Sequence, residues 1–355
     1  MHFRIYSSPV RPLPDLSTPI WTAKLAQRIE RASASIARLD ARVAVSPVAN
    51  AWRQRSAWAG YAASLRGQSA EIEEIDIFAR ECGVSIPGRI SPPSMSEDAG
   101  DLTRWQADLR DRSIHHWRDD VAYSTATPDD WRNRPALLRA LEMLGRHARA
   151  DRSITSWLNL PRLLHSMEVT ATPLPCLAIA DKALRLTPRD SEAIVARFLR
   201  QIADAAATGL QRLDAMEEHR LRAAAVAGNI LRPGKLLPLL ALLQLRPVTS
   251  PRVVAQQLEL SISGAGKLLA RAADVGLLVE ISGRQAWRTY LVTDLAVAFG
   301  FARRPVGRPV EPPKVSEALD PSLSRFDAEM AELDAMLARL GVVSDVGDDT
   351  RDEQT

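Results

Sequence analysis

The stretch from Thr249 to Val292, TSPRVVAQQLELSISGAGKLLARAADVGLLVEISGRQAWRTYLV, limits the possible folds of this chain more than any other segment. Val253, Val254, Leu258 and Leu260 predict a short amphipathic helix, with Ala255 small enough to sit at a helix crossing. Ser261 is placed to cap a second helix, its hydroxyl satisfying a backbone N–H that has no partner in the first turn. Ala265, Leu268, Leu269 and Ala272, three and four apart, give that helix an inner side. Gly276 then stands where a left-handed residue ends a helix. Leu277–Ile281 and Trp287–Val292 are apolar-rich and flank Ser282-Gly283-Arg284-Gln285, which predicts two strands joined as a hairpin. Helix, turn, helix and hairpin in this order predict a winged helix-turn-helix, a module that usually sets its second helix in a nucleic-acid groove. Leu236–Leu245 supplies a first helix for it, after the break at Pro233-Gly234.

A chain of 355 residues has room for two domains, each with its own core. The expected fold class is mainly α, an N-terminal helical bundle followed by the C-terminal winged module over residues 233–300. No apolar run approaches the roughly 18 residues that span a bilayer, so no membrane association is expected. MHFRIYSSPVRPLPDLSTP lacks the apolar core and cleavage site of a secretory signal, and residues 1–21 are read as an extended arm. Cys82 and Cys176 form neither a metal spacing nor a disulfide framework, which fits buried thiols and a cytoplasmic location. Net charge is only +3, but it is unevenly placed. Arg220–Pro309 holds 13 Lys/Arg against 4 Asp/Glu, whereas Val310–Thr355 holds 4 against 12. A basic module followed by an acidic tail points to phosphate contact, with a tail able to compete for the same surface.

Residues 22–230 read as successive helices. Leu25, Ile29, Ala32, Ile36, Leu39 and Val43 form a heptad-like stripe over Thr22–Val43. Ala51–Leu65 continues with Trp52, Trp58 and Tyr61, read as packing anchors. In Ala70–Cys82, Glu71, Glu73, Glu74 and Asp76 are expected on a solvated face and not around a metal, since no histidine is near in sequence. Pro87–Gly100 reads as a connection before a helix over Leu102–Asp120. His115 and His116 diverge by about 100° on a helix and make a poor ligand pair. Helices are further expected over Pro135–Ala150, Ser153–Met167, Asp190–Ala207 and Gly209–Ile230, and Pro173–Cys176 breaks the chain before Leu177–Leu186.

LPCL (Leu174–Leu177), the winged module and ARLDARVAVSPVANAWRQR (Ala37–Arg55) together resemble a family of bacterial proteins known chiefly from rhizobial replicons. That resemblance, over about Ile36–Pro309, implies an N-terminal helical domain of unknown function and a C-terminal helix-turn-helix that binds DNA. The order of helices and winged module also looks distantly like Fic proteins, which transfer nucleotides to hydroxyls through a His-Pro-Phe motif followed by Asp-Gly-Asn-Gly-Arg. Ala227-Gly228-Asn229 is the nearest fragment here, so neither catalytic residues nor a cofactor is expected.

The expected partner is double-stranded DNA. Ile262, Ser263, Gly266 and Lys267 occupy the reading positions of the second helix, with Arg271 a turn further on. Bidentate base readers (Arg, Asn, Gln) are missing from the first three, so the helix reads sequence weakly: Ser263 faces the bases, Ser261 and the helix N-terminus are expected at a phosphate, Lys267 at another or at a guanine, and Arg271 at a phosphate. Arg284, Gln285 and Arg288 on the wing add contacts to phosphates or the minor groove, whereas Trp287 is read as packing on the module. Arg303-Arg304-Pro305-Val306-Gly307-Arg308-Pro309, within a basic linker over residues 301–314, resembles the AT-hook. Arg304, Gly307 and Arg308 would lie in a narrow A·T-rich minor groove, although Val306 stands where the hook usually has a basic residue. Leu323, Phe326, Met330, Leu333, Leu337 and Leu340 predict an amphipathic helix over residues 315–341. That helix offers a homodimer contact through residues 323–340, before an acidic, disordered tail over residues 342–355. The functional expectation is a transcriptional regulator or replicon-associated factor. The alternative is a helical protein–protein interaction module with a degenerate winged helix.

Overall fold

Helical periodicity dominates the chain, and the fold is mainly helical with few strands. The computed structural model describes residues 22–68, 70–86, 88–89, 95–110, 131–185, 191–229, 234–283 and 288–303. The expectations for the arm, for His115 and His116, for Arg284, Gln285 and Trp287, for Arg304, Gly307 and Arg308, and for residues 315–355 lie outside the described residues. The helices are α1 (Ala23–Val45), α2 (Ala49–Gly67), α3 (Glu74–Glu81), α4 (Met95–Arg110), α5 (Ala136–Ala150), α6 (Thr155–Leu158) and α7 (Leu160–Ser166). They continue with α8 (Ser191–Gly228), α9 (Leu236–Leu245), α10 (Pro251–Leu258), α11 (Ile262–Asp274) and α12 (Thr293–Ala298). Strands β1 (Val248–Thr249), β2 (Leu278–Glu280) and β3 (Tyr290–Val292) complete the described elements.

The stripe on α1 packs inward: Leu25, Ala32, Ile36, Leu39 and Val43 are fully buried, and Ile29 is half-buried against the same core. Each large member contributes about 1.5–3 kcal/mol by leaving water. Thr22 caps the helix by accepting from the Leu25 N–H at 3.1 Å, and its own hydroxyl donates to Glu192 at the start of α8. Arg42, near the end of α1, donates to Asp214 and Glu217 past the middle of α8. The two helices therefore run parallel, α1 lying along the first part of α8.

Helix α8 is one helix of 38 residues where two were expected, about 57 Å long at the usual rise. Gly209 does not interrupt it, because the residue serves close packing. A Cβ there would lie 2.8 Å from Cys176 Sγ and 3.1 Å from Leu39 Cδ2. The Trp52 indole donates to the Gly209 carbonyl at 2.9 Å.

Helix α2 is buried on nearly every side and separates two cores. Trp52 belongs to one, built with α1, α5, α7 and α8. Trp58, Tyr61 and Leu65 belong to the other, which joins α3 and α4 to the C-terminal elements from α9 onward. The segment Leu174–Ala180 crosses α2 where its glycines leave room. A Cβ on Gly60 would stand 2.3 Å from the Pro175 carbonyl oxygen, and one on Gly67 would overlap Ala180 Cβ at 2.0 Å. Ser64 also turns inward, donating to the Gly60 carbonyl at 2.9 Å. LPCL is thus a packing segment wedged between α2 and α8.

Other expectations change in detail. Met95–Gly100, read as connection, is already helical in α4. Ser153–Met167 divides into α6 and α7, since Pro161 enters at the first turn of α7 and cannot donate to a continuous ladder. 3₁₀ turns form at Pro175–Leu177, overlapping the expected break, and at Lys182–Arg185. Glu74 is not on a solvated face: it accepts two hydrogen bonds from Arg212 of α8. Glu73 and Asp76 form the capping box of α3. Buried Glu142 accepts from Trp131, Arg134 and Arg146, at 3.1, 3.1 and 2.8 Å, so its charge is compensated on the spot.

Gly60→Ala should lower stability by about 1–3 kcal/mol, because the clashing atom is backbone and not a flexible side-chain end. Gly266→Ala, in α11 with nothing within 4 Å of the added methyl, should raise stability by about 0.5–1 kcal/mol. Urea unfolding of the two variants checks the pair, and equal effects would contradict the packing assigned to Gly60.

Candidate nucleic-acid interface

Between Leu236 and Val292 the elements follow the order α9, β1, α10, α11, β2, β3. The sheet order is β1-β3-β2, antiparallel throughout, with Val248 opposite Leu291 and Val279 opposite Leu291 on the other side. Strand β1 and helix α12 were not legible in the sequence. Two residues are too few for an alternation signal, and α12 is a single short run.

Ser250 caps α10, accepting from the Val253 N–H at 3.4 Å, with Pro251 at the first helical position. The helix ends at Glu259, which adopts left-handed geometry at φ 56° and ψ 50°. Three residues later α11 has begun under its own cap, the Ser261 hydroxyl accepting from the Gly264 N–H at 3.0 Å. Ala265, Leu269 and Ala272 are buried on the inner side, and Leu268 is half-buried. Gly276, at φ 75°, closes the helix while Leu277 N–H returns to the Ala272 carbonyl at 3.0 Å.

The outer side of α11 carries Ile262, Ser263, Lys267 and Arg271, all exposed, with Ile262 at 63%. Lys267 and Arg271 have no carboxylate partner among the described residues. Arg288, in the hairpin, is in a different state. Its Nε lies 3.7 Å from Glu280 Oε2, and Glu280 also accepts from Ser282 at 3.0 Å. Hydrogen bonding with Tyr290 and the Glu280 charge hold the Arg288 guanidinium above its ordinary range. Ser261, Ser263, Lys267 and Arg271 thus share one helix end and face, and Arg288 is engaged by its own hairpin. Arg252 and the pair Gln256-Gln257 are exposed on α10 and were missed in the sequence; their place just inside a Ser-Pro cap was the available signal.

The opposite side of these elements is fixed by one buried guanidinium. Arg55 of α2 donates from Nε to the Gln244 carbonyl at 3.0 Å and from Nη2 to the Leu243 carbonyl at 2.9 Å. Both carbonyls belong to the last turn of α9, which lacks helical partners. The remaining Nη1 donates to Asp294 Oδ2 at 2.9 Å in the first turn of α12, and both side chains are under a tenth exposed. Burial pulls the Arg55 pKa down, against the charge of Asp294. Around this clasp His219 of α8 donates from Nε2 to the Leu277 carbonyl at 3.0 Å, and Phe299 meets Phe78 edge-on at 5.6 Å. Arg246 donates from Nη1 to the Cys82 carbonyl at 3.3 Å.

Nucleophilic and metal chemistry find little here. Burial pushes the Cys82 thiol up to about 11 and the Cys176 thiol up to about 12, so both stay protonated at neutral pH. Among the described residues no cluster of three or more His, Cys, Asp or Glu could hold a metal ion. Nor is any described helix long and apolar enough to cross a membrane. No protein-family model matches the chain, and no curated protein matches it.

Arg55→Met should destabilise the fold by about 3–5 kcal/mol, because it leaves Asp294 charged, buried and alone. Arg55→Met with Asp294→Leu should recover a large part of that loss. Chemical denaturation of both variants measures it, and additive losses would show that the two side chains act independently.

Proposed function

We propose that this chain binds double-stranded DNA through a winged helix-turn-helix made by α9–α11 and the β-hairpin, as a regulator of transcription or a replicon-associated factor. The observation that carries the reading is the outer face of α11. A capped helix end presents Ser263, Lys267 and Arg271 to solvent, with both cations unpaired among the described residues, in a sequence region that is strongly basic. The element order and the three-stranded sheet are those such a module requires, and the Arg55 clasp holds its other side inward.

Docking in this reading is dominated by phosphate. Ser261 accepts from its own helix, which leaves the hydroxyl proton and the helix N-terminus for a phosphate oxygen. Lys267 and Arg271 sit along the same helix and neutralise further phosphates. Ile262 and Ser263 meet base edges without bidentate hydrogen bonds, and Gly266 lets the backbone approach closely, so sequence is read weakly. Arg288 joins only by exchanging Glu280 for phosphate. Arg284, Gln285, Arg304, Gly307 and Arg308 extend the surface on the strength of the sequence. The reading also places the protein in the cytoplasm, and the heptads of residues 323–340 would pair two copies.

Six cations are assigned to phosphate here: Lys267, Arg271, Arg284, Arg288, Arg304 and Arg308. Affinity for a labelled duplex should then fall on the order of 10³-fold between about 50 and about 200 mM salt. Lys267→Ala with Arg271→Ala should flatten the log–log salt slope by about 1.8. Glu280→Gln should do the opposite, freeing Arg288 and tightening binding at low salt. Fluorescence anisotropy over a salt series checks all three, and salt-independent binding sinks the proposal.

A further inference from the structure

A groove lies between α2, α4 and the end of α9, with Pro173 and Pro175 also lining it. Its volume is about 320 Å³, at the lower end of the range for small-molecule sites. Asn50, Arg53 and Gln54 line it from α2, and Gln106 and Arg110 from α4. Their spacing of three and four puts each set on one side of its helix, so the groove receives a polar face from both. This is unusual on α2, which is otherwise committed to the two cores. None of the five side chains has a hydrogen-bond or ion-pair partner among the described residues, and the Gln106 Nε2 is buried without one. Among the described residues no carboxylate lines the groove, and Ala57, Leu109, Leu245 of α9 and the two prolines give it apolar lining.

We propose that this groove binds a small organic anion, a molecule with one carboxylate or phosphate group and an apolar body. Arg53 and Arg110 supply the two positive forks, which suit the planar oxygens of a carboxylate or the faces of a phosphate. Asn50, Gln54 and Gln106 supply uncharged donors and acceptors that select its polar substituents. The apolar body covers Leu245 at the end of α9. The same α9 turn hands its carbonyls to Arg55, one residue along α2 from Gln54, so the anion touches both helices beside the clasp. A DNA backbone fits the groove less well, because the site is concave and partly apolar. The site does not depend on the nucleic-acid reading of α11.

Calorimetry on the full chain tests it with AMP, glucose 6-phosphate and benzoate, each beside its uncharged counterpart adenosine, glucose or benzyl alcohol. At least one anion should bind one-to-one with a dissociation constant below about 1 mM, and at least about tenfold tighter than its counterpart. Arg53→Ala with Arg110→Ala should weaken it by at least about tenfold, while circular dichroism and Tm stay unchanged. Arg53→Gln alone, which keeps a donor and removes the charge, gives an intermediate loss and covers a misfolded double variant. Phosphates outbinding benzoate assign a phosphate site, and the reverse assigns a carboxylate site. The proposal is overturned if no anion of the panel binds, if the variants bind it equally well, or if a short duplex displaces it stoichiometrically.

Discussion

A guanidinium with under a tenth of its side chain exposed is stable only where its nitrogens meet acceptors, and each of the three nitrogens of Arg55 does so, with groups from two distant parts of the chain. Its acceptors are the spare carbonyls at the end of α9 and the Asp294 carboxylate at the start of α12. The first are partial negative charges at a helix C-terminus, and the second is an anion at a helix N-terminus, so charge and helix dipole agree at both contacts. Together with the shared apolar core, this residue sets the orientation of the C-terminal elements. Their inner side is set against α2, α3 and α8, and α11 is left outward.

The same logic governs α2 as a whole. A helix flanked by two cores can tolerate few large side chains where other segments cross it, and Gly60, Ser64 and Gly67 clear the path of Leu174–Ala180. Cys176 from that segment then fills the notch that Gly209 leaves in α8. Small residues on α2 and α8 are therefore spacing elements, and they let three chain segments far apart in sequence share one interior. The described residues form one compact unit as a result.

Much of this was legible where the signal is local. The apolar stripe of α1, the Ser261 cap, the Gly276 terminus and the apolar run of α9 each declare themselves within a dozen residues. Gly209 was misread as a boundary, because a helix breaker and a packing notch are the same residue in sequence. Glu74 looked solvated for a similar reason: its partner Arg212 is 138 residues away. Arg55 and Asp294 are separated by 239 positions and neither carries a local pattern, so the clasp could not be read before the fold was known. Strand β1 gains its identity only by pairing with β3. At the candidate interface Ile262, Ser263, Lys267 and Arg271 are exposed and Gly266 is half-buried, and the hold of Glu280 on Arg288 depends on hairpin register, which apolar alternation alone does not fix.

The central claim is mechanical: the C-terminal elements are built into the helical body by a shared core and a buried clasp, and do not ride on it as a separate bead. Native-state hydrogen exchange on the intact chain tests this most directly. The account predicts that the amides of β3 and α12 open with the same free energy as those of α2, in one cooperative event. Exchange of β3 and α12 through a lower-energy opening that leaves α2 and α8 fully protected would contradict it.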